Sequence, residues 1–343
     1  MASALHICVQ FVSCTAGGSL LILAVAVDLI WTTLGTHGGG PLTGRAMRIL
    51  WRGIIALRGR SEAHRLLSFV GSIMLALTVV VWMGLLWLGC FAIFSARRDA
   101  VVTARERRPV TVEERAYFTG ATLFTFGNAE YVPNGPRWRF FTVLTGAIGL
   151  GTATLAITYL MQVLTSVVLK RTLGAYISDA GGTPAAIVGR SWTGENFDGL
   201  ELFLGQLTTM LHTVTEQHLA YPVLHYFHSE QRRTAAVLRI PSLYELTLIL
   251  AEGVVQPRRP TPMTLQPVRD ALSGFAHVIE SEFVHAAATA PPPPPLGPIR
   301  DWGVPLVSDA EFDASVRELD DIRRLLLGLV ESDGWTWEDV YRQ

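Results

Sequence analysis

Long charge-free runs alternate with arginine-rich connections along this chain. Leu66–Ala96 and Phe140–Leu169 carry no charged residue. A helix of about 20 apolar residues crosses the hydrocarbon core of a bilayer, so both runs are long enough to span it. Met1–Val27 has no formal charge apart from a protonatable His6, and beyond Asp28 the apolar run continues to Leu34. It reads as a third span. The rival reading is a cleaved signal peptide, which is weakened because no Lys or Arg precedes the run.

Between the second and third spans lies Tyr117–Pro133, YFTGATLFTFGNAEYVP. It is too short and too polar to cross a membrane. Glu113–Thr125 predicts a short helix with Thr111 as N-cap, and Pro133-Asn134-Gly135-Pro136 predicts a turn. Arg45–Arg65 places Met47, Leu50, Ile54 and Leu57 at helical spacing and reads as an amphipathic helix on the inner membrane surface, its arginines among anionic headgroups.

After Leu169 the composition turns soluble. Gly174–Gly199 reads as an irregular linker, Gly199–Gln231 and Pro241–Val255 as helices, and Pro257–Pro262 as a break. Leu265–Ala287 follows as a helix, Ala290–Pro298 as a stiff extended spacer, and Asp309–Ser332 as a last amphipathic helix. The expected architecture is an all-α membrane protein. Residues 1–35 form a first transmembrane helix, 36–65 a cytoplasmic amphipathic segment and 66–169 a domain of two spans flanking a re-entrant helix and loop. Residues 170–343 form a helical cytosolic domain containing the proline-rich spacer 290–298.

Charge sets orientation. Gly35–Arg65 holds Arg45, Arg48, Arg52, Arg58, Arg60 and Arg65, whereas nothing basic precedes the first span except His6. Positive loops stay in the cytoplasm. The N-terminus is therefore expected outside and the C-terminal domain inside a cell (inner) membrane, although the Arg97–Arg139 connection is itself arginine-rich. Only 17% of the 343 residues are charged and the net charge is −1, which gives no sign of a nucleic-acid partner. Cys8, Cys14 and Cys90 lie inside apolar runs and show no metal or disulfide spacing. No catalytic triad, phosphate loop or carboxylate pair stands out, so an enzyme is not expected.

A cation leaves its hydration shell only where oxygens replace it, and rings of backbone carbonyls do this when several copies of one loop meet on an axis. Non-helical backbone is tolerated at membrane depth where it lines a wet cavity or is buried in protein. Tyr117–Thr125 can enter as the supporting helix, its negative C-terminal end aimed at the ion. Thr125, Phe126, Gly127, Asn128 and Ala129 then form a carbonyl ladder, and Glu130 a carboxylate ring at the outer mouth.

This segment, followed by an apolar helix bearing Gly149, resembles the pore of the two-transmembrane potassium-channel superfamily. That family's filter reads roughly Thr-Val/Leu-Gly-Tyr-Gly-Asp, with Pro three residues later. Thr125, Phe126 and Gly127 match, Glu130 takes the Asp place and Pro133 the Pro place. The resemblance covers Leu66–Leu169 and implies a homotetramer in the bilayer, a gating hinge near Gly149 and permeant K or Na ions rather than a bound cofactor. The family's Tyr-Gly is Asn128-Ala129 here. The second glycine normally takes φ > 0, which alanine disfavours by about 1–2 kcal/mol. A wider outer filter is expected, with weak selectivity among monovalent cations or with sodium or calcium permeation aided by Glu130.

Steps of one helical turn from Gly149 mark Ala153, Ile157, Leu160 and Leu164 as the pore face. Gly146 and Gly151 read as close-packing positions. Asp28 is expected to snorkel to the interface or to pair with an inner-surface arginine. His212, His218, His225 and His228 crowd one part of the C-terminal domain; packed, hydrogen-bonded histidines there compete with a metal or pH-sensing role. The domain is expected to gate the pore in response to an unidentified cytosolic ligand or protein. The alternative from another class is a non-conducting membrane receptor or scaffold that binds a partner through that domain.

Overall fold

The charge-free runs become long helices in the computed structural model, which describes residues 2–35, 38–45, 47, 49, 63–282 and 284–343. Helix α1 is Ala2–Leu34 and α2 is Ala63–Ser95. A short strand β1 (Val101–Thr103), helix α3 (Val112–Leu123) and strand β2 (Tyr131–Pro133) follow, then the 45-residue helix α4 (Pro136–Ala180). Val12–Leu34, Val70–Ser95 and Pro136–Ala180 are long and apolar enough to cross a membrane. Among the described residues the fold class is thus all-α with three such helices, apart from one two-stranded antiparallel sheet.

Residues 1–57 and 73–162 form one compact unit; residues 58–72 and 163–343 form another. In the first, Asp28 is fully buried. Its carboxylate accepts hydrogen bonds from the backbone N–H of Leu42 (2.7 Å) and Thr43 (3.1 Å), from the Thr43 hydroxyl and from Trp82 Nε1 (2.8 Å). Residues 41–45 are helical, so Asp28 caps that helix from another segment. This corrects the expected snorkelling or arginine pair: backbone N–H groups and an indole compensate the charge instead. Asp28→Ala leaves these buried donors without their acceptor and should cost about 2–3 kcal/mol, read as a lowered thermal midpoint in detergent. Most of the amphipathic segment 45–65 lies outside the described residues.

In the second unit the expected linker 174–199 is largely helix. α4 runs on to Ala180 because Leu173 and Ile177 bury into the core, and α5 occupies Pro184–Ser191 with Thr183 as its N-cap. Helix α6 is Leu200–Ala220; a 3-10 turn, Pro222–Tyr226, replaces its expected continuation. Helix α7, Ala236–Leu248, begins ahead of Pro241 and is buried on every side, which marks it as the centre of this unit. It leads into a π turn, Ile249–Gly253. Helix α8 (Pro262–Glu282) lies against α6. The expected last helix is two, α9 (Asp309–Arg317) and α10 (Asp320–Ser332).

The proline run, expected as a stiff extended spacer, is bound into this unit. Pro291 and Pro294 are buried, and Arg323 on α10 donates to the carbonyls of Pro291 (2.9 Å) and Pro292 (2.6 Å). A proline carbonyl remains a full acceptor, so an extended run can be stapled to a guanidinium.

Candidate functional site: the 124–130 loop

Helix α3 starts on a capping box. The Thr111 hydroxyl accepts from the Glu114 N–H, and the Glu114 carboxylate accepts from the Thr111 N–H at 2.8 Å. Arg108 grips the same carboxylate through both oxygens, at 2.7 and 3.0 Å. These bonds, Arg108 first, hold the Glu114 carboxyl down to about 2. The far side of α3 is fixed by apolar contacts. Phe118 meets Phe94 of α2 edge-on at 5.3 Å, and Phe94 meets Phe141 of α4 at 4.8 Å.

The helix stops at Leu123, two residues short of the expected end at Thr125. The next three N–H groups all turn back. Phe124 donates to Gly120 (2.9 Å), Thr125 to Thr122 (3.2 Å) and Phe126 to Ala121 (2.9 Å). Phe124 has φ −85°, Thr125 +59° and Gly127 +76°. Gly127 supplies the left-handed conformation that a Cβ disfavours. Thr125 adopts it despite its branched side chain, which marks a strained, over-determined position. Among the described residues no hydrogen bond ends on a carbonyl from Phe124 to Ala129. The donors of residues 124–126 are tied back to the helix, whereas the N–H groups of Gly127, Asn128 and Ala129 are as unpaired as the carbonyls.

The outer half of the loop is built differently. The Asn128 side-chain oxygen accepts from the N–H of Glu130 (2.8 Å) and of Tyr131 (3.0 Å), closing a turn. Ala129 has no positive φ. The Glu130 carbonyl accepts from Ala104 N–H at 2.8 Å, and Tyr131–Pro133 pairs with Val101–Thr103 in register. The sequence showed the Arg97–Arg139 connection only as arginine-rich and gave no sign of this sheet. Glu130 is exposed, as is Phe126 at 83%.

Gly149 lies on α4 where the end of α3 rests against it, and a Cβ there would collide with the Leu123 carbonyl oxygen. α4 is unbroken at Gly149. A Cβ at Gly151 meets nothing within 4 Å, so it is Gly149 rather than Gly151 that the close approach requires. Further along α4, the buried stripe comprises Thr152, Ala156, Tyr159 and Val163. The expected pore face lies beside it: Ala153 and Leu160 are half-buried, Ile157 is 61% exposed and Leu164 is 47% exposed. The structure thus groups Thr125 to Glu130 on one loop, seats Gly149 beneath it, and strings the other four along one side of α4. His225 and His228 do not share a helix; His225 is in the 222–226 turn and His228 pairs with Asp333. No group of three metal-ligating side chains occurs among the described residues.

A short helix and a loop with unpaired carbonyls, set between two apolar helices, form the arrangement that a pore-loop ion channel requires. A family model described as "Ion channel" matches residues 66–166. The chain is 30% identical over 321 residues to the uncharacterized membrane protein YdjJ of Bacillus subtilis (strain 168), covering 93% of this chain and 94% of the relative. No solved structure matches the chain. The chain belongs to the same family as that membrane protein and carries the two-transmembrane, potassium-channel-like pore domain.

Proposed function

We propose that this protein is a homotetrameric cation channel whose filter is the carbonyl set of Thr125, Phe126 and Gly127. The observation that carries the proposal is the inner half of the loop: the N–H groups of Phe124, Thr125 and Phe126 bond back to α3, and the carbonyls that follow, from Thr125 to Gly127, accept from no donor among the described residues. Unpaired acceptors at membrane depth are costly unless water or an ion meets them. Asn128 and Ala129 depart from the family pattern, and the Asn128 turn bends the chain away after Gly127. That leaves fewer carbonyl rings and favours weak discrimination among K and Na, with Ca admitted where Glu130 raises its local concentration. The exposed side of α4, including Ala153, Ile157, Leu160 and Leu164, is the proposed inner cavity wall. The proposed orientation in the cell membrane puts the N-terminus outside and the C-terminal unit in the cytoplasm, where it gates the pore.

Glu130→Gln is the test. Four carboxylates at a mouth concentrate cations over a Debye length of about 30 Å at 0.01 M salt and about 3 Å at 1 M. Single-channel conductance should fall about two- to threefold at low salt and little at high salt. Equal loss at both, or none at either, contradicts a mouth role for Glu130. Absence of flux from folded wild-type protein in every ionic condition favours a receptor or scaffold instead.

A further inference from the structure

Five titratable side chains meet where the C-terminal stretch of α4 joins its unit, and the pore chemistry uses none of them. Lys170 of α4 donates to the carbonyls of Phe227 (3.1 Å) and Leu224 (3.3 Å), at the end of the 222–226 turn. Immediately beyond, His228 pairs with Asp333, which follows α10. His225 lies inside the turn, and His218 of α6 faces the same space, its ring edge-on to Phe275 at 5.7 Å and its Nδ1 3.0 Å from the Val214 carbonyl. Gly71 of α2 lets the Phe227 ring sit flat on the helix; a Cβ there would come within 2.7 Å of it. The short 222–228 segment is therefore gripped by α2, by α4 and by the end of α10.

Lys170, His218, His225 and Asp333 border a space of about 20 Å³ whose remaining lining is apolar, Val214, Ile240, Phe275 and Leu329 among it. That is room for one water molecule, not for a ligand. A closed, mostly apolar pocket holding two histidines beside a lysine ammonium has one conspicuous vulnerability, which is an added proton.

We propose that the 222–228 segment is an acid-released latch on α4: protonation of His218 and His225 beside Lys170 drives the segment out of its seat between Lys170, Gly71 and Asp333. Burial, reinforced by the Lys170 charge, pushes both His218 and His225 down to about 3. Released into water, each returns towards about 6.5. The seated form binds fewer protons than the released form, so its stability is complete above about pH 6.5 and is lost as the pH falls from there towards 3. The charged groups facing His225 among the described residues are Lys170, His218, His228 and Asp333. Asp333, held below its usual range chiefly by its bond to His228 against the effect of burial, is the one counter-charge. Its single negative charge cannot offset Lys170 together with protons added to both His218 and His225.

The inference rests on the reading of the C-terminal unit as the part that gates α4, and the experiment separates the two. Full-length protein in lipid nanodiscs is followed by hydrogen exchange of the 222–228 amides, corrected for intrinsic rates, at pH 7.5 and pH 5. The released population should rise by about 30-fold for each histidine that titrates. In His218→Phe/His225→Asn the rise should vanish, and each single variant should keep about half of it on a logarithmic scale. Wild-type exchange that does not change with pH overturns the latch without any variant, and a rise that persists in the double variant overturns it too. Cation flux measured in parallel decides the other question. Flux that ignores the release, with the exchange result intact, leaves the latch standing and removes gating by this unit.

Discussion

Gly149→Ala should abolish cation flux. The new Cβ meets the Leu123 carbonyl oxygen, a backbone atom at the end of α3 that cannot rotate aside. Either α3 or α4 must shift, at an overpacking cost of about 1–3 kcal/mol per chain. The displacement falls one residue before Phe124, whose N–H, with those of Thr125 and Phe126, fixes the loop to the α3 end. The proposed carbonyl ring would tolerate little such movement, because its oxygens must all reach one ion. Gly84→Ala is the control. It also lies in an apolar helix, but a Cβ there meets nothing within 4 Å, so flux should stay within about twofold of wild type while helix propensity improves by up to about 1 kcal/mol. Flux measured in liposomes containing each variant separates local geometry from a general intolerance of glycine replacement.

Arg323→Ala should destabilise the C-terminal unit by about 3–5 kcal/mol. Arg323 and Glu245 are both fully buried, with Nε 2.9 Å from the carboxylate. Tyr341 also donates to Glu245, at 2.8 Å. Removing the guanidinium leaves Glu245 as an uncompensated buried charge and frees the carbonyls of Pro291 and Pro292. Burial already pushes the Glu245 carboxyl upward, against the pull of Arg323. In the variant that rise is unopposed, so the ionised form is penalised most above the ordinary carboxylate range. The deficit should be largest near neutral pH and shrink as the pH falls towards about 4.5, where a neutral carboxyl is tolerated. Thermal melting of full-length protein in detergent, followed by tryptophan fluorescence, reads both the loss and its pH dependence. The pair change Arg323→Met with Glu245→Leu should recover most of the stability.

The parts of this molecule that were legible in the sequence are those whose signals are local. Charge-free runs mark α2 and α4 because length and hydrophobicity are enough to span a bilayer. Thr111 as N-cap announces the start of α3, and Thr125-Phe126-Gly127 marks the loop that follows. What escaped depends on partners far apart in the chain. Asp28 gave no hint that its ligands would be the N–H groups of Leu42 and Thr43 and the indole of Trp82. The strands at Val101 and Tyr131 are three residues each, too short for alternation to register. The proline run read as a stiff extended spacer, and nothing in Pro291–Pro295 points to its bonds with Arg323. Asn128 was read only as a departure from the family's Tyr, whereas its amide oxygen shapes the outer loop. The gathering of Lys170, His218, His225 and Asp333 requires the tertiary fold, although the crowding of histidines was visible.

Cation flux through purified wild-type protein in liposomes, paired with a subunit count of the same preparation, tests the central claim most directly. Four chains per particle and a flux of K and Na, each admitted without strong preference, is the predicted result. A folded monomer or dimer that passes no cation at any salt concentration contradicts it.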